Sequence, residues 1–388
     1  MVTVAILAWC TLLALAPPRT TMTLGLVSFL FGFVLNELPF VAFYYLLVST
    51  IVALGPRGID SSAAWATVGL TALTTAGLVT VAWRGLRTRA AIDHALTEGL
   101  GAGWSTTIDA QMSRQLRRTL PLARIVFAPF VYRRRDVERI ANVSYGNAGR
   151  KNMLDIYRHR SHPAGSPVLV HLHGGGLFMG RKNREALPLL YQFASHGWLC
   201  ISANYRLRPA ATFPDHLIDV KKVICWVREH GHLYGGSAAP VFVAGSSSGG
   251  QLAALAALTP NEPAYQPGFE SADTSVSAVI CLHSYYGAGT GDGSPSAPLA
   301  YHGTDAPPFF VVHGDRDSLI PVKMARLFAE RLQTASPNPV VYAELPGGQH
   351  GFDRFHSLRF DSVVNGIEAF AAWVRSCEMT QTTRSRPN

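Results

Sequence analysis

The chain has 388 residues, enough for two or three structural units, and its 48% hydrophobic and 15% charged content points to a strongly apolar segment. Five scattered cysteines without a CxxC pair imply neither a disulfide framework nor a zinc site. The net charge of +9 has one source: residues 84–160 hold 15 Lys/Arg against 6 Asp/Glu, and the remainder balances.

Val2 to Ala16 is an apolar run with no basic residue before it. It ends in Ala14-Leu15-Ala16, which looks like a cleavage site, but Pro17 follows directly. Both features argue against a signal peptide and for a short membrane span or anchor. Met22 to Leu54 is a second apolar stretch, broken at Asn36-Glu37-Leu38-Pro39. About 20 residues cross a bilayer, so this stretch reads as one helix kinked at Pro39 or a tight pair of shorter segments. Ala63 to Trp83 has the length of a third span. A buried helical core would alternate with polar faces, and these segments show almost none. Residues 1–83 are therefore expected to form a transmembrane helical region of three spans, or four.

Arg84, Arg87 and Arg89 follow the third span, and the positive-inside rule puts that side in the cytoplasm. With three spans Arg19 is inside and Arg57 outside beside Asp60; with four, the N-terminus is inside. Residues 84–139 read as a basic juxtamembrane linker. Within it, Gln111 to Ile125 sets Arg114, Arg117, Arg118 and Arg124 among Met112, Leu116, Leu120 and Leu122, and Arg133-Arg134-Arg135 extends the charge. Such a segment either lies on anionic headgroups or is a solvated linker. A membrane tether and the lack of any reader motif argue against nucleic acid as a partner.

Residues 140–377 alternate strand and helix patterns. Strands are expected at Val168–His171, Leu199–Ala203, Val241–Ala244, Ala278–Leu282, Phe309–His313 and Val340–Glu344. Helices are expected notably over Phe213 to Glu229 and Lys323 to Leu332. This is the signature of a mostly parallel sheet with helices on both faces, whose strand C-termini carry the ligands. From Glu378 the sequence reads as a polar, disordered tail.

Four motifs sit at those strand ends. Val168-Leu-Val-His-Leu runs into His173-Gly174-Gly175-Gly176, where consecutive glycines leave backbone N–H groups uncovered and available to an oxyanion. Val241-Phe-Val-Ala runs into Gly245-Ser246-Ser247-Ser248-Gly249, followed by a helical stretch. Strand, tight turn and helix are what a nucleophile elbow requires, and only Ser247 has glycine two before and two after it. The Ser248 amide would join those of the glycine loop. His313-Gly-Asp315-Arg-Asp317 offers two carboxylates. A further strand, Val340–Glu344, leads to Gly348-Gln349-His350-Gly351-Phe352. The order serine, aspartate, histidine suits a nucleophile, an orienting carboxylate and a general base. The His171/His173 and His230/His232 pairs are not read as a metal site, and no cofactor is expected.

Residues from about 140 to 376 resemble the α/β-hydrolase superfamily, and more closely the hormone-sensitive-lipase-like and feruloyl-esterase-like carboxylesterases. With its apolar N-terminus the chain resembles actinobacterial membrane-anchored esterases of that group. Asn152-Met-Leu-Asp-Ile-Tyr157, Asn204-Tyr-Arg-Leu207, Phe213-Pro-Asp-His-Leu217 and Gln266-Pro-Gly-Phe-Glu270 also look like the family. The resemblance implies Ser247, Asp317 and His350 as a catalytic triad, with Gly174, Gly175, Gly176 and Ser248 around the oxyanion hole. It selects Asp317 through the pattern His-Gly-x-x-Asp-x-x-(Val/Ile)-Pro, leaving Asp315 as a turn residue. The sequence departs from the common Gly-Asp-Ser-Ala-Gly at Ser246 and Ser248. It also has only 20 residues between Tyr286 and Pro307, where relatives often carry a longer segment over the acyl pocket.

The expected activity is hydrolysis of apolar carboxylic esters, small-molecule or lipid, at the membrane. An acyltransferase using the same acyl-enzyme is the alternative. A catalytically dead scaffold is disfavoured because all three residues are present.

Overall fold

The computed structural model describes residues 1–55, 58–287 and 294–384. Arg57, used above for topology, and residues 288–293 of the segment before Pro307 lie outside them.

The chain opens with helices α1 (Val2–Leu15), α2 (Met22–Glu37), α3 (Pro39–Leu54) and α4 (Ser62–Leu100), then three short helices, α5 (Trp104–Thr107), α6 (Ala110–Gln115) and α7 (Leu122–Phe127). The remainder runs β1 (Val137–Ser144), β2 (Met153–His159), β3 (Ser166–Leu172), α8 (Leu187–Ser195), β4 (Leu199–Ala203), α9 (Asp215–His230), β5 (Gly236–Ser246), α10 (Ser248–Leu258), β6 (Ala278–Leu282), β7 (Phe309–Gly314), α11 (Val322–Ala335), β8 (Val340–Leu345) and α12 (Leu358–Arg384). One sheet takes the order β1-β2-β4-β3-β5-β6-β7-β8. From β4 to β8 neighbours are parallel, whereas β2 is antiparallel to both β1 and β4.

The central strands are continuous apolar runs because helices cover both faces. Successive side chains point to opposite faces. Val168, Val170, Val241, Val243, Phe309 and Val311 join one core with residues of α9, α10 and α11. Leu169, Phe242, Ile280, Phe310 and Val312 join the other with α8 and α12. The second core also takes Ile92, Ala95 and Leu96 from the far half of α4. That half lies so close to β8 that a Cβ on Gly99 would stand 2.8 Å from Val341 Cα.

Helix α4 therefore does not stop at Trp83: it carries Arg84, Arg87 and Arg89 onward and becomes part of the sheet's covering layer. Among the described residues it is the one helix long and apolar enough to cross a membrane. Helices α2 and α3 meet that test only as a pair, bent by 94° at Leu38. Of the two readings of Met22 to Leu54, the structure takes the pair of segments, because Pro39 starts α3 and has no N–H to continue α2. Helix α1, at 14 residues, rises about 21 Å, short of the ~30 Å of a hydrocarbon core. The described residues thus hold one candidate span, or two if the bent pair counts as one, where three or four were expected. Val4, Leu7, Leu46, Leu78 and Val81 pack α1, α3 and α4 together.

The basic segment is not one amphipathic helix. It breaks between α6 and α7, before Pro121, and Arg117 turns inward to Asp361 and Gln192. At the other end, α12 continues through the polar stretch from Glu378 to Arg384.

Candidate active site

Strand β5 delivers Ser247 into the turn before α10. Its φ is +53°, a left-handed conformation that a side-chain-bearing residue rarely adopts. Neighbouring glycines permit the turn: a Cβ on Gly245 would meet Gly249 O at 2.2 Å, and one on Gly249 would meet Leu172 O at 2.2 Å. Strand, turn and helix pass at backbone contact, as the elbow spacing requires.

The loops after β7 and β8 bring in the partners. His350 Nε2 lies 3.0 Å from Ser247 Oγ, and His350 Nδ1 lies 2.7 Å from Asp317 Oδ2. Asp317 is buried, and its other oxygen accepts the Leu319 and Ile320 amides at 2.9 and 2.8 Å. Burial would raise its pKa, but the His350 ring and hydrogen bonds from His313 and His350 outweigh this and hold it below the usual carboxylate range. Asp315, the competing carboxylate, points elsewhere; burial raises its pKa, and its carbonyl accepts from Arg19 at 2.9 Å.

The glycine loop meets the elbow from β3. A Cβ on Gly174 would stand 2.9 Å from Ser247 Cβ, so the loop adjoins the serine. Gly174 N–H donates to Glu185 Oε2 at 2.5 Å. That amide is taken, so Gly174 drops out as a donor, while Gly175, Gly176 and Ser248 remain candidates. The Ser248 hydroxyl accepts the Leu177 amide at 3.3 Å and ties the loop to the elbow. Gly176, Leu177, Arg208, Phe213, Ser247 and Ile320 line part of a cavity of about 330 Å³.

Behind the serine lies a buried polar chain that the sequence reading passed over. Ser246 Oγ donates to Asp353 Oδ2 and lies 3.0 Å from His171 Nε2; Asp353 Oδ1 lies 3.0 Å from His283 Nε2. The His283 ring stands against His350 at 4.4 Å between centroids. Burial would raise the Asp353 pKa, but His283 and the Ser246 hydroxyl hold it low. Where relatives commonly carry aspartate before the nucleophile, this chain has Ser246 bonded to a carboxylate three residues past His350. The position of Asp353 in His350-Gly-Phe-Asp353 was the available signal.

A second unforeseen contact comes from the apolar N-terminus. Phe29 of α2 stands edge-on to the His350 ring, with centroids 5.8 Å apart.

The family model described as BD-FAE matches residues 154–287. The chain is 40% identical over 281 residues to LipM of Mycobacterium tuberculosis, described as a probable carboxylic ester hydrolase, covering 65% of this chain and 64% of LipM. It is 37% identical to esterase LipQ of the same organism, covering 61% of this chain and 63% of LipQ. The chain thus spans under two thirds of these relatives. Human hormone-sensitive lipase is 33% identical over 125 residues, 32% of this chain and 11% of that protein. An esterase of Thermogutta terrifontis, solved with butyrate, shares the fold at a TM-score of 0.51 and 22% identity, covering 65% of this chain and 95% of that one. The chain shares the α/β-hydrolase fold of that esterase, and over the matched part of its length it is similar to carboxylesterases of the hormone-sensitive-lipase-like group.

Proposed function

We propose that the chain is a membrane-anchored serine carboxylesterase. The hydrogen-bonded line from Asp317 through His350 to Ser247 carries this reading. Ser247 Oγ attacks the ester carbonyl carbon while His350 Nε2 takes its proton. The Asp317 carboxylate holds the ring's other N–H and stabilises the imidazolium. Negative charge on the carbonyl oxygen is met by the Gly175, Gly176 and Ser248 amides, the last at the N-terminus of α10. Collapse expels the alcohol, which receives the His350 proton, and leaves an acyl-Ser247 ester. Water, deprotonated by the same ring, then releases the acid. An alcohol in place of water would make the same intermediate an acyltransferase's.

Anchoring is supported by the length of α4 and by large exposed side chains on its near half, among them Trp65, Leu73 and Val79. The arginines at 84, 87 and 89 favour a cytoplasmic catalytic domain.

The test is hydrolysis of a chromogenic ester series by the detergent-purified full chain, with Ser247→Ala as control. Turnover lost in the variant is expected. Failure of the unaltered chain on every ester, or full activity in the variant, overturns the reading. Products formed in added alcohol separate hydrolysis from acyl transfer.

A further inference from the structure

The segment expected only to tether the enzyme grips both loops that carry the candidate triad's acid and base. Ser318, next to Asp317, donates its hydroxyl to Gly25 O at 2.8 Å, and a Cβ on Gly25 would meet Ser318 O at 2.2 Å. Phe29 meets His350, and Asn36 Nδ2 donates to Gly347 O at 2.9 Å. Phe33 stacks on Phe355. Gly25, Phe29, Phe33 and Asn36 fall on one face of α2 at helical spacing. One flank of that face is closed: Gly32 sits against the α1 backbone, with a would-be Cβ 3.2 Å from Ala14 N.

The other flank is open. Met22, Leu26 and Leu30, spaced by four, form the adjoining row and are 77%, 45% and 55% exposed. Helix α3 packs against α4, the candidate span, in the cluster of Leu46, Leu78 and Val81, and α2 is bent 94° from α3, so α2 runs across the direction of that span. Hydrocarbon resting on that row would be one helical row from the imidazole, and the outward row is apolar throughout.

We propose that α2 is the lipid-side wall of the active site, and that the substrate is an ester of a lipid alcohol whose hydrocarbon stays in the bilayer against Met22, Leu26 and Leu30 while its carbonyl reaches Ser247. The inference rests on the esterase reading and adds the substrate class and its route.

The experiment uses the full chain in phosphatidylcholine vesicles and two esters with the same acyl group. One is hexadecyl butyrate held in the vesicles; the other is water-soluble p-nitrophenyl butyrate. Both give the same butyryl-enzyme, so their kcat/KM ratio isolates how the alcohol side arrives. In Leu26→Gln/Leu30→Gln the ratio of lipid to soluble ester is expected to fall about tenfold, the scale of a few lost apolar contacts. The control Leu24→Gln/Phe31→Gln alters exposed apolar residues on the far side of α2 and is expected to hold the ratio within about twofold. An unchanged ratio in the first pair, or an equal fall in both, overturns the proposal. Leu30→Gln alone carries the same test if the pair does not fold, with fluorophosphonate labelling of Ser247 as the check of folding. No turnover of either ester by the unaltered chain would sink the esterase reading itself, a different result from a shift in ratio.

Discussion

Single side chains decide the chemistry here, and two aspartates two residues apart make the sharpest contrast. Asp317 touches the imidazole; Asp315 does not. Loss of an orienting carboxylate costs about 10⁴-fold in turnover, so Asp317→Asn should approach that while Asp315→Asn stays within about tenfold. Steady-state kinetics of the two variants check it. The buried histidines give a pH prediction. Burial pushes His171 and His173 down from 6.5 to about 4. Each ring stays neutral in the fold down to about pH 4 but takes a proton in the unfolded chain below 6.5. The unfolded chain then binds more protons, so stability should fall as pH drops from about 6.5 to about 4, by up to about 3 kcal/mol per ring. A thermal midpoint that stays flat across that window would contradict buried neutral imidazoles.

Much of this site was legible because its residues sit in local motifs. Gly-x-Ser-x-Gly fixes Ser247 by spacing alone, since each glycine is forced by a backbone approach near 2.2 Å. Asp317 and His350 follow from their places after β7 and β8. Asp353, His283 and Ser246 were not legible as a unit, because what joins them is a hydrogen-bond chain between three segments far apart in sequence. Gly174 illustrates the reverse: the motif offers its amide, and only the position of Glu185 shows it taken.

Among the elements, strands were easier than helices. The runs at Leu199–Ala203 and Ala278–Leu282 match β4 and β6 residue for residue, because doubly covered strands are apolar throughout. Strands β1 and β2 were missed: β1 is an edge strand, half of it exposed, with a register shift between Ile140 and Val143, and β2 sets Asp155 and Arg158 among its apolar residues. The end of α4 was also missed, since apolarity stops at Trp83 while the helix does not. Its second half packs on the sheet and needs only Ile92, Ala95 and Leu96 to be apolar. The kink at Pro39 was visible, but not the docking of α2, which ends in a buried Glu37–Arg359 ion pair. Removing one partner of such a pair commonly costs 3–5 kcal/mol, about the whole effect expected of Glu37→Gln, because the guanidinium is left uncompensated. Thermal unfolding in detergent measures this; a loss below about 1 kcal/mol would show that α2 is not seated there.

Taken together, an apolar helical region, one helix shared with the sheet, and a hydrolase core make a single working unit. The arginines after Trp83 predict a cytoplasmic orientation: a reporter fused after Asn388 should be active only in its cytoplasmic form, and protease cleavage from outside intact cells would contradict this. Acyl selectivity should rise only while methylenes remain buried. The specificity constant for p-nitrophenyl esters is therefore expected to peak at roughly four to eight carbons, and a steady rise to about sixteen would indicate a deep channel instead. Everything above depends on Ser247 being the nucleophile. Intact-mass analysis of the purified chain treated with a fluorophosphonate reads this directly. One adduct is expected, absent in Ser247→Ala and retained in Ser246→Ala; an adduct that survives Ser247→Ala, or maps to Ser246 or Ser248, would contradict the account.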